Sequence, residues 1–468
     1  TRMGTSTQTF GGVATWLAYC LNILTGKLDL PGGVLFSQPA IDLVELGAMA
    51  GQKGHFGKRH SRVKGLPEFG GEYPASTMAD EMLTPGDGQI RAFVTVAGNP
   101  VLSSPNGRRL EEALGGLDFM VSVDYYLNET TRHADIILPP TAALERSHYD
   151  LIFSMFAVRN FAKYSEALFD AGPGARHDWQ ILLELAHRLE KLRKGGQLAL
   201  RAELGWRAFK QIGPDPILDL LLRSGPYGAD AGRARGLLQP AVDLVMDILP
   251  KRHPLRGLAK LSPLNRHWQE LPKGLSLSAL KDNPNGVDLG PLQPSLPERL
   301  FTRDGKINLA PRRYLDDLGR LHEALAAPAG ESLQLIGRRH VRSNNSWMHN
   351  SQRLVKGKDR CTLMIHPKDA SRLGLQAADS AEISSESRQI VLPVEITEDV
   401  MPGVVSIPHG WGHDRDGTGQ SVAAAHAGAS INDLLSDGRI DPLSGTSVLN
   451  GQPVAVKVWR PERQRKRA

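Results

Sequence analysis

Residues 90–146 decide the fold, and they read IRAFVTVAGNPVLSSPNGRRLEEALGGLDFMVSVDYYLNETTRHADIILPPTAALER. A β-branched apolar run breaks at Gly98-Asn99-Pro100, a helical pattern follows over 108–114, and a second apolar run over 119–123 stops at Asp124. Strand, helix and strand of these lengths predict a βαβ unit with parallel strands. Because such sheets bind ligands beyond the carboxyl ends of their strands, we expect both strand ends to lie at a binding crevice.

The two strand ends suit different parts of a nucleotide. Gly98 would let the backbone approach a phosphate, and its loop precedes a helix whose first N–H groups favour an anion. Asp124 has two acceptor oxygens that match the N1–H and 2-amino donors of guanine. The alternative is that Gly98 only makes a turn and that Asp124 only caps its loop. These residues alone leave both interpretations open.

The segment after Asp124 carries a family resemblance. Residues 128–139 read NETTRHADIILP and resemble the TET…ADVVLP signature of the molybdopterin oxidoreductases. This superfamily of bis-molybdopterin guanine dinucleotide enzymes includes formate dehydrogenases, nitrate reductases and dimethyl sulfoxide reductase. The resemblance extends to Gly98-Asn99-Pro100, Asp124 and Glu145, whereas Asn128 stands where many members have Thr. It implies Rossmann-like α/β domains and a bis-molybdopterin guanine dinucleotide cofactor with molybdenum or tungsten.

The first residues resemble the loop with which relatives touch a pterin. On this resemblance Met3, Gly4 and Gln8 are expected cofactor contacts, although they could equally well only begin a helix. Formate dehydrogenases similar to this chain carry an arginine for the formate carboxylate shortly after the position of Gly33. No arginine occurs between Gly33 and Lys58, so formate is disfavoured as the substrate.

The last part of the chain predicts a small β-barrel. Short apolar runs with turn residues between them occupy 333–336, 361–365, 381–384, 390–396, 404–407 and 454–458, and one helix fits between Pro367 and Gly374. This pattern resembles the carboxyl-terminal dinucleotide-binding domain of the family.

The loops of this predicted barrel are rich in polar groups. Arginine supplies forked donors for a pyrophosphate, and asparagine offers both a donor and an acceptor to a pterin edge. The resemblance therefore implies cofactor contacts at Gly337, Arg338, Arg339, Asn344, Asn345, His349, Asn350, His409, Trp411 and Asn432, in addition to Gly98, Asn99, Pro100, Asp124 and Asn128. Irregular spacing favours loop hydrogen bonds over zinc for the histidines, so no metal site is predicted.

A dinucleotide has to be bound at its guanine, its pyrophosphate and its pterin at the same time. We therefore expect one elongated cleft at which residues from both regions converge. The residues expected there are Asn99, Asp124, Arg338, Asn345, His409 and Asn432.

Composition describes a globular chain with room for several domains. It has 468 residues, of which 41% are hydrophobic and 23% charged, and no apolar run is long enough to span a membrane. Much of the net charge of +6 lies at 460–467, where a solvated end is favoured over nucleic-acid binding. Cys20 and Cys361 lack CxxC spacing, so we expect neither a disulfide nor an iron–sulfur cluster held by this chain.

The resemblance also predicts the domain organisation. We expect 1–50 to end a central α/β domain, 51–197 to form a Rossmann-like cofactor-binding domain, 198–330 to be a helical and loop connection, and 331–468 to form the barrel domain. Relatives carry a [4Fe–4S] domain and the metal-ligating residue before this region. The chain is therefore expected to be the carboxyl-terminal portion of a longer cytoplasmic enzyme, and no catalytic residue is assigned within it.

The leading hypothesis is the cofactor-binding portion of a molybdenum or tungsten oxidoreductase. It would act on a small molecule and exchange electrons with a redox partner or subunit. One alternative is a molybdenum-free electron-transfer scaffold that resembles the large iron–sulfur subunit of NADH dehydrogenase. Another is an inactive fragment that binds nothing. The predicted barrel favours the enzyme, because the scaffold has no need to preserve it.

Overall fold

The computed structural model describes residues 1–49, 54–196, 200–228, 274–297, 299–300, 302, 304–328, 330, 332–377, 379–386 and 388–461. The basic residues 463–467, and the part of the connecting region at 229–273, lie outside the described residues.

The described chain contains both α-helices and β-strands. The α-helices are α1 Met3–Ser6, α2 Gly11–Leu24, α3 Leu43–Met49, α4 Met78–Leu83, α5 Pro100–Ser103, α6 Gly107–Gly115, α7 Asp178–Arg193, α8 Leu200–Ile212, α9 Asp215–Ser224, α10 Leu277–Lys281, α11 Arg312–Ala326, α12 Gln352–Val355, α13 Pro367–Leu373 and α14 Ser421–Ala425. The strands are β1 Phe56–His60, β2 Pro67–Phe69, β3 Ala92–Val96, β4 Phe119–Val123, β5 Ile136–Ile137, β6 His148–Tyr149, β7 Asn160–Ala162, β8 Tyr164–Ser165, β9 Val287–Gly290, β10 Leu333–Arg338, β11 Leu363–Ile365, β12 Ser380–Ser384, β13 Gln389–Ile396, β14 Val404–Pro408 and β15 Gln452–Val458.

The chain divides into two compact units, and each is built from separated segments. Unit 1 comprises Thr1–Ala18, His55–Pro139 and Ala310–Ala468, and unit 2 comprises Tyr19–Gly54 and Pro140–Leu309. The α/β sheet and the barrel both belong to unit 1. The four domain ranges named from the sequence stay a prediction.

The βαβ prediction is confirmed in unit 1. Strands β3, β4 and β5 form a parallel sheet in which Ala92 lies opposite Phe119 and Val96 opposite Val123. Helix α6 buries Leu110 and Leu114 in the core under this sheet, because apolar residues at this spacing share one helix face. The short helix α5, which the sequence pattern had not indicated, begins directly after the first strand-end loop.

The predicted barrel is also confirmed. Among the described residues, six strands close in the order β10-β14-β11-β13-β12-β15, with β10 parallel to β14 and β11 parallel to β13. Its interior holds completely buried aliphatic side chains, among them Leu335, Leu363 and Ile407. Each contributes about 1.5–3 kcal/mol by its removal from water. The expected helix is α13, which ends at Gly374 in the left-handed conformation (φ 68°) that favours glycine.

Unit 2 has its own apolar core. Leu222, Tyr227, Leu280 and Leu289 are buried together there, next to two small antiparallel sheets, β6-β8 and β7-β9. None of the described helices, in either unit, has both the length and the apolar character required to cross a membrane.

Candidate functional site

Asp124 caps the loop that leaves β4. Its Oδ1 accepts the backbone N–H groups of Tyr125 at 2.7 Å and Tyr126 at 3.1 Å, and its Oδ2 accepts a bond from Asn128 Nδ2 at 3.3 Å. Asn128 Oδ1 in turn accepts the backbone N–H of Thr130 at 3.0 Å. Both side chains therefore hold this loop together, and their expected contacts with a guanine nucleotide stay a prediction.

The first strand-end loop, Gly98-Asn99-Pro100, leads into α5, where Pro100 is the first helical residue. Asn99 is buried; its Nδ2 donates to Glu129 Oε2 at 2.7 Å, and its Oδ1 accepts the Thr130 hydroxyl at 2.7 Å. A Cβ on Gly98 would meet nothing closer than 3.7 Å. The packing of the chain therefore does not require glycine here, and this side of the loop is open to another group.

A cavity of about 450 Å³ lies where the loops after β10 and β14 meet. Its volume is within the range of small-molecule pockets. The residues that line it are Arg339, His340, Val341, Ser343, Asn344, Asn345, Met348 and His409. Four expected cofactor contacts from two separate loops are therefore brought together.

Backbone geometry explains why these two loops can meet. Asn344 and Asn345 have φ values of 41° and 59°, a left-handed conformation that asparagine tolerates better than most residues. A Cβ on Gly410 (φ 92°) would lie 2.1 Å from the Asn345 carbonyl oxygen, so only glycine allows this approach.

The charge in the cavity comes from arginine rather than histidine. Burial, together with the nearby charge of Arg339, lowers the pKa of His409 to about 4. Burial and the neighbouring arginines also lower the pKa of His340. At neutral pH both rings are uncharged, and each offers one donor and one acceptor while Arg339 supplies positive charge. This combination suits a polar heterocycle that carries an anionic group.

Arg338 does not line the cavity as its neighbour Arg339 does. Its guanidinium donates to the backbone carbonyl of Ser406 at 2.5 Å, and to both the carbonyl and the hydroxyl oxygen of Thr362 at 2.8 Å. Burial lowers its pKa, although Glu395 opposes this effect. Arg338 thus joins β10 to β14 and to Thr362, the residue before β11, and the donors in these bonds are not available to a phosphate.

Three other residues that are expected to contact the cofactor also form hydrogen bonds within the chain. Asn432 donates from Nδ2 to the Leu102 carbonyl at 2.6 Å, and its own carbonyl accepts the Asn106 N–H at 2.8 Å. Asn350 Oδ1 accepts the Val422 N–H at the start of α14, at 3.1 Å. The Gly337 N–H donates to the side chain of Asn450 at 2.9 Å.

The expected contacts at the start of the chain lie elsewhere in unit 1. Met3 and Gly4 are exposed in α1, and Met3 lines a separate cavity of about 360 Å³. Buried Thr7 accepts a bond from Asn450 Nδ2 at 2.7 Å and so attaches this turn to the barrel. Gln8 is half-buried. None of Met3, Gly4 and Gln8 is among the residues that line the 450 Å³ cavity.

The structure brings together only part of the set expected at one cleft. Asn345 and His409 line the 450 Å³ cavity, whereas Asp124, Arg338 and Asn432 hold loops or strands in place. Within the described ranges, no group of three or more His, Cys, Asp and Glu side chains is arranged to hold a metal ion.

Sequence reasoning did not assign a buried chain of side chains that ends at this cavity. Glu129 Oε1 lies 2.7 Å from His413 Nδ1, His413 Nε2 lies 2.9 Å from His349 Nδ1, and His349 Nε2 lies 2.9 Å from Ser343 Oγ. We call Glu129, His413, His349 and Ser343 the buried quartet, since each is at most 5% exposed. The Trp411 ring stacks on His349 with centroids 4.0 Å apart.

Glu129 is ionised within the buried quartet. Burial raises its pKa, but the hydrogen bonds from His413 and from the amide of Asn99 lower it, and the pKa lies below its ordinary value. Burial and the nearby His413 lower the pKa of His349 to about 3. The position of Glu129 between Asn128 and two threonines is a sequence signal for a functional role. No such signal identifies His413 as its partner, because His413 is 284 residues away.

An ionic cluster, also missed, joins α6 to the barrel loops. Buried Arg415 reaches both carboxylate oxygens of Asp433 at 3.0 Å and approaches Glu111 at 3.5 Å. Arg108 contacts Asp433 at 3.3 Å, and Arg132 pairs with Glu111. Burial raises the pKa of Asp433, while Arg415 and Arg108 oppose that rise. These charges are buried but mutually compensated.

Two stretches of the chain match known protein families. Residues 3–188 match the family described as Molybdopterin oxidoreductase, and residues 333–453 match the Molydopterin dinucleotide binding domain. The dimethyl sulfoxide/trimethylamine N-oxide reductase of Rhodobacter capsulatus is 25% identical over 441 residues, which cover 86% of this chain and 48% of that protein. The trimethylamine-N-oxide reductase of Haemophilus influenzae is 23% identical over 93% of this chain and 51% of its own length.

A solved structure shows the same fold. Acetylene hydratase from Pelobacter acetylenicus superposes with a TM-score of 0.55 at 16% identity, over 82% of this chain and 46% of the hydratase. The chain thus spans about half the length of the relatives it matches. The two family matches together cover more than half of the chain, in the order in which the α/β region and the barrel occur. The chain therefore belongs to the molybdopterin oxidoreductase superfamily and carries a molybdopterin dinucleotide-binding barrel.

Proposed function

We propose that the chain is the cofactor-binding portion of a molybdenum or tungsten oxidoreductase that binds bis-molybdopterin guanine dinucleotide and supports two-electron redox of a small substrate. The observation that carries this proposal is the 450 Å³ cavity in the matched dinucleotide-binding barrel, lined by Arg339, Asn345 and His409. The barrel also favours an enzyme over a molybdenum-free electron-transfer scaffold or an inactive fragment.

The residues of the cavity suit the proposed group. The Arg339 guanidinium would hold the pyrophosphate, and the amides of Asn344 and Asn345 with neutral His409 would pair with a pterin edge. Asp124, whose two oxygens have about four acceptor positions, would meet the guanine. The bound cofactor would supply the redox-active metal, while the chain's residues bind it, orient it and exclude water.

Substrate and partners belong to the same proposal. The relatives named above reduce dimethyl sulfoxide or trimethylamine N-oxide by their names, so a small S-oxide or N-oxide is the proposed substrate class. Formate is disfavoured because no arginine lies between Gly33 and Lys58. Electrons would pass through a redox partner or subunit. A [4Fe–4S] cluster and the metal ligand would come from a part of the enzyme outside this chain, in the cytoplasm.

Cofactor content of the full-length gene product tests the proposal. We expect molybdenum or tungsten by mass spectrometry, and GMP after acid hydrolysis. Arg339→Ala should lower the GMP content, whereas Arg342→Ala, an exposed arginine in the same loop that does not line the cavity, should retain it. Iron without GMP, molybdenum or tungsten would instead identify the electron-transfer scaffold.

A further inference from the structure

With Glu129 ionised and His349 neutral, the hydrogen bonds of the buried quartet permit two consistent arrangements of protons. An ionised carboxylate can only accept, so Glu129 requires a proton on His413 Nδ1. If His413 is neutral, its Nε2 must accept from His349 Nδ1–H. The Nε2 of His349 must then accept the Ser343 hydroxyl proton. In this first state Ser343 donates inward and has only acceptor lone pairs for the cavity.

One additional proton reverses every bond beyond His413. With both nitrogens protonated, His413 donates from Nε2 to His349 Nδ1, and neutral His349 then carries its own proton on Nε2. That proton is donated to Ser343 Oγ, so the hydroxyl hydrogen of Ser343 becomes free to point into the cavity that this residue lines. The low pKa of His349, about 3, agrees with a ring that stays neutral in both states.

We propose that the buried quartet is a one-proton relay whose protonation state decides whether Ser343 offers the cavity a hydrogen-bond acceptor or a donor. The relay also delivers a proton with balanced atoms. Ser343 gives its proton to a bound acceptor and takes the Nε2 proton of His349. His349 takes the Nε2 proton of His413 at its Nδ1. His413 is left neutral, still bonded to the carboxylate of Glu129.

The His413 ring faces Glu129 at Nδ1 and His349 at Nε2, and its centroid lies 6.5 Å from that of the Trp411 ring. His349 faces His413, the ring of Trp411 and the backbone of Gly410, with His340 as a further nearby titratable group. Beyond Ser343, the one cation among the residues that line the cavity is Arg339.

The far end of the relay is fixed by Asn99. The Thr130 hydroxyl accepts the Val101 N–H at 3.1 Å, so it donates its own proton to Asn99 Oδ1. Asn99 Nδ2 must therefore donate to residue 129. In Glu129→Gln, the amide oxygen has to face Asn99, and the amide nitrogen has to face His413. A donor then replaces an acceptor at His413 Nδ1. This change reverses the direction of the hydrogen bonds from His413 to Ser343 without any change of pH.

Ring-nitrogen NMR of the full chain, labelled with [15N]histidine, tests this inference independently of any cofactor. In the wild type without the additional proton, both rings should carry their proton on Nδ1. When the pH is lowered until the quartet binds one more proton, both nitrogens of His413 should be protonated and His349 should carry its proton on Nε2. His349→Gln and His413→Gln assign the signals, and exposed His426 serves as an internal reference.

Glu129→Gln should place the proton of both neutral rings on Nε2. Glu68→Gln is the matched control, because Glu68 is a buried carboxylate that also bonds a histidine ring, His55, at 2.9 Å. It should leave His349 and His413 unchanged. The relay is refuted if His349 keeps its proton on one nitrogen over the whole pH range, or if each ring takes up its own proton. The wild-type titration decides the question even if Glu129→Gln does not fold.

Discussion

At the residue scale, the contacts of Asp124 bear on whether this residue binds guanine or caps its loop. The sequence is compatible with either role. Three donors already meet its two oxygens, from Tyr125, Tyr126 and Asn128. Capping is therefore a role that the residue has without any ligand. Its remaining acceptor capacity is all that a guanine could use.

Asp124→Asn should lower the free energy of unfolding by about 1–3 kcal/mol, because the new amide nitrogen would face Asn128 Nδ2, donor against donor. Denaturant unfolding of the cofactor-free chain measures the loss. Asp118→Asn, at an exposed carboxylate, should change stability far less. Wild-type stability, combined with loss of GMP from the full-length protein, would instead favour guanine binding alone.

His409 should make the chain less stable in acid. Its folded pKa of about 4 lies below the unfolded value of about 6.5. The stability that it contributes is complete above that unfolded value and is lost as the pH falls toward the folded one. His409→Gln should therefore remove about 1–2 kcal/mol of the stability lost between about pH 7.5 and about pH 5. Denaturant unfolding at both pH values measures this, and His426→Gln, at an exposed histidine, should leave the loss unchanged.

At the element scale, the cavity depends on two loops that follow neighbouring parallel strands. Strand β10 pairs with β14 over its length, so the loops that leave them start at the same edge of the barrel. The His409 N–H donates to the Arg338 carbonyl at 3.0 Å and extends that pairing by one step. Gly410 then allows the second loop to pack against the backbone of Asn345.

Gly410→Ala should disturb the cavity more than Gly403→Ala does. Both glycines have positive φ, 92° and 82°, so each alanine should cost about 1–2 kcal/mol in backbone strain. Only the Cβ at 410 meets backbone, since nothing lies within 4 Å at 403. Gly410→Ala should cost a further ~1–3 kcal/mol and shift the amide NMR signals of Asn344 and Asn345. Equal losses for the two variants would mean that the close approach has no effect.

At the scale of the whole molecule, buried charges join the α/β sheet and the barrel within unit 1. Arg415 and Asp433 come from barrel loops, and Arg108 and Glu111 from α6. Desolvation makes such a cluster a weak source of net stability while it is intact. The loss of one member, however, leaves another charge buried without compensation.

Arg415→Met should therefore lower the free energy of unfolding of the chain by about 3–5 kcal/mol. The loss should be visible as earlier unfolding by both circular dichroism and fluorescence. Arg372→Met, which removes a half-exposed arginine paired with Asp369, is the control and should have a much smaller effect. A small loss for Arg415→Met would show that water reaches Asp433 and Glu111.

Local patterns were enough to predict the parallel strands and the barrel, because periodicity and turn residues act within a few positions of each other. They also placed Arg339, Asn345 and His409 in loops that follow predicted strands, and the structure shows these three residues lining one cavity. Local patterns could not predict the direction in which each side chain points. Arg338 and Arg339 are neighbours in sequence, yet only the closed barrel decides that the first faces carbonyls and the second the cavity. Likewise, no local pattern could pair Glu129 with His413.

The split of unit 1 into separated segments has a consequence for its synthesis. Glu129 leaves the ribosome 284 residues before His413, and the 55–139 segment long before 310–468. At about 5–20 residues per second, the buried carboxylate waits roughly 15–60 seconds for its partner. Through that interval Arg108 and Glu111 on α6 also lack their partners Asp433 and Arg415 from the barrel loops. Ribosome-stalled chains that end before residue 310 should therefore be cleaved readily within 55–139, and released full-length chains should resist.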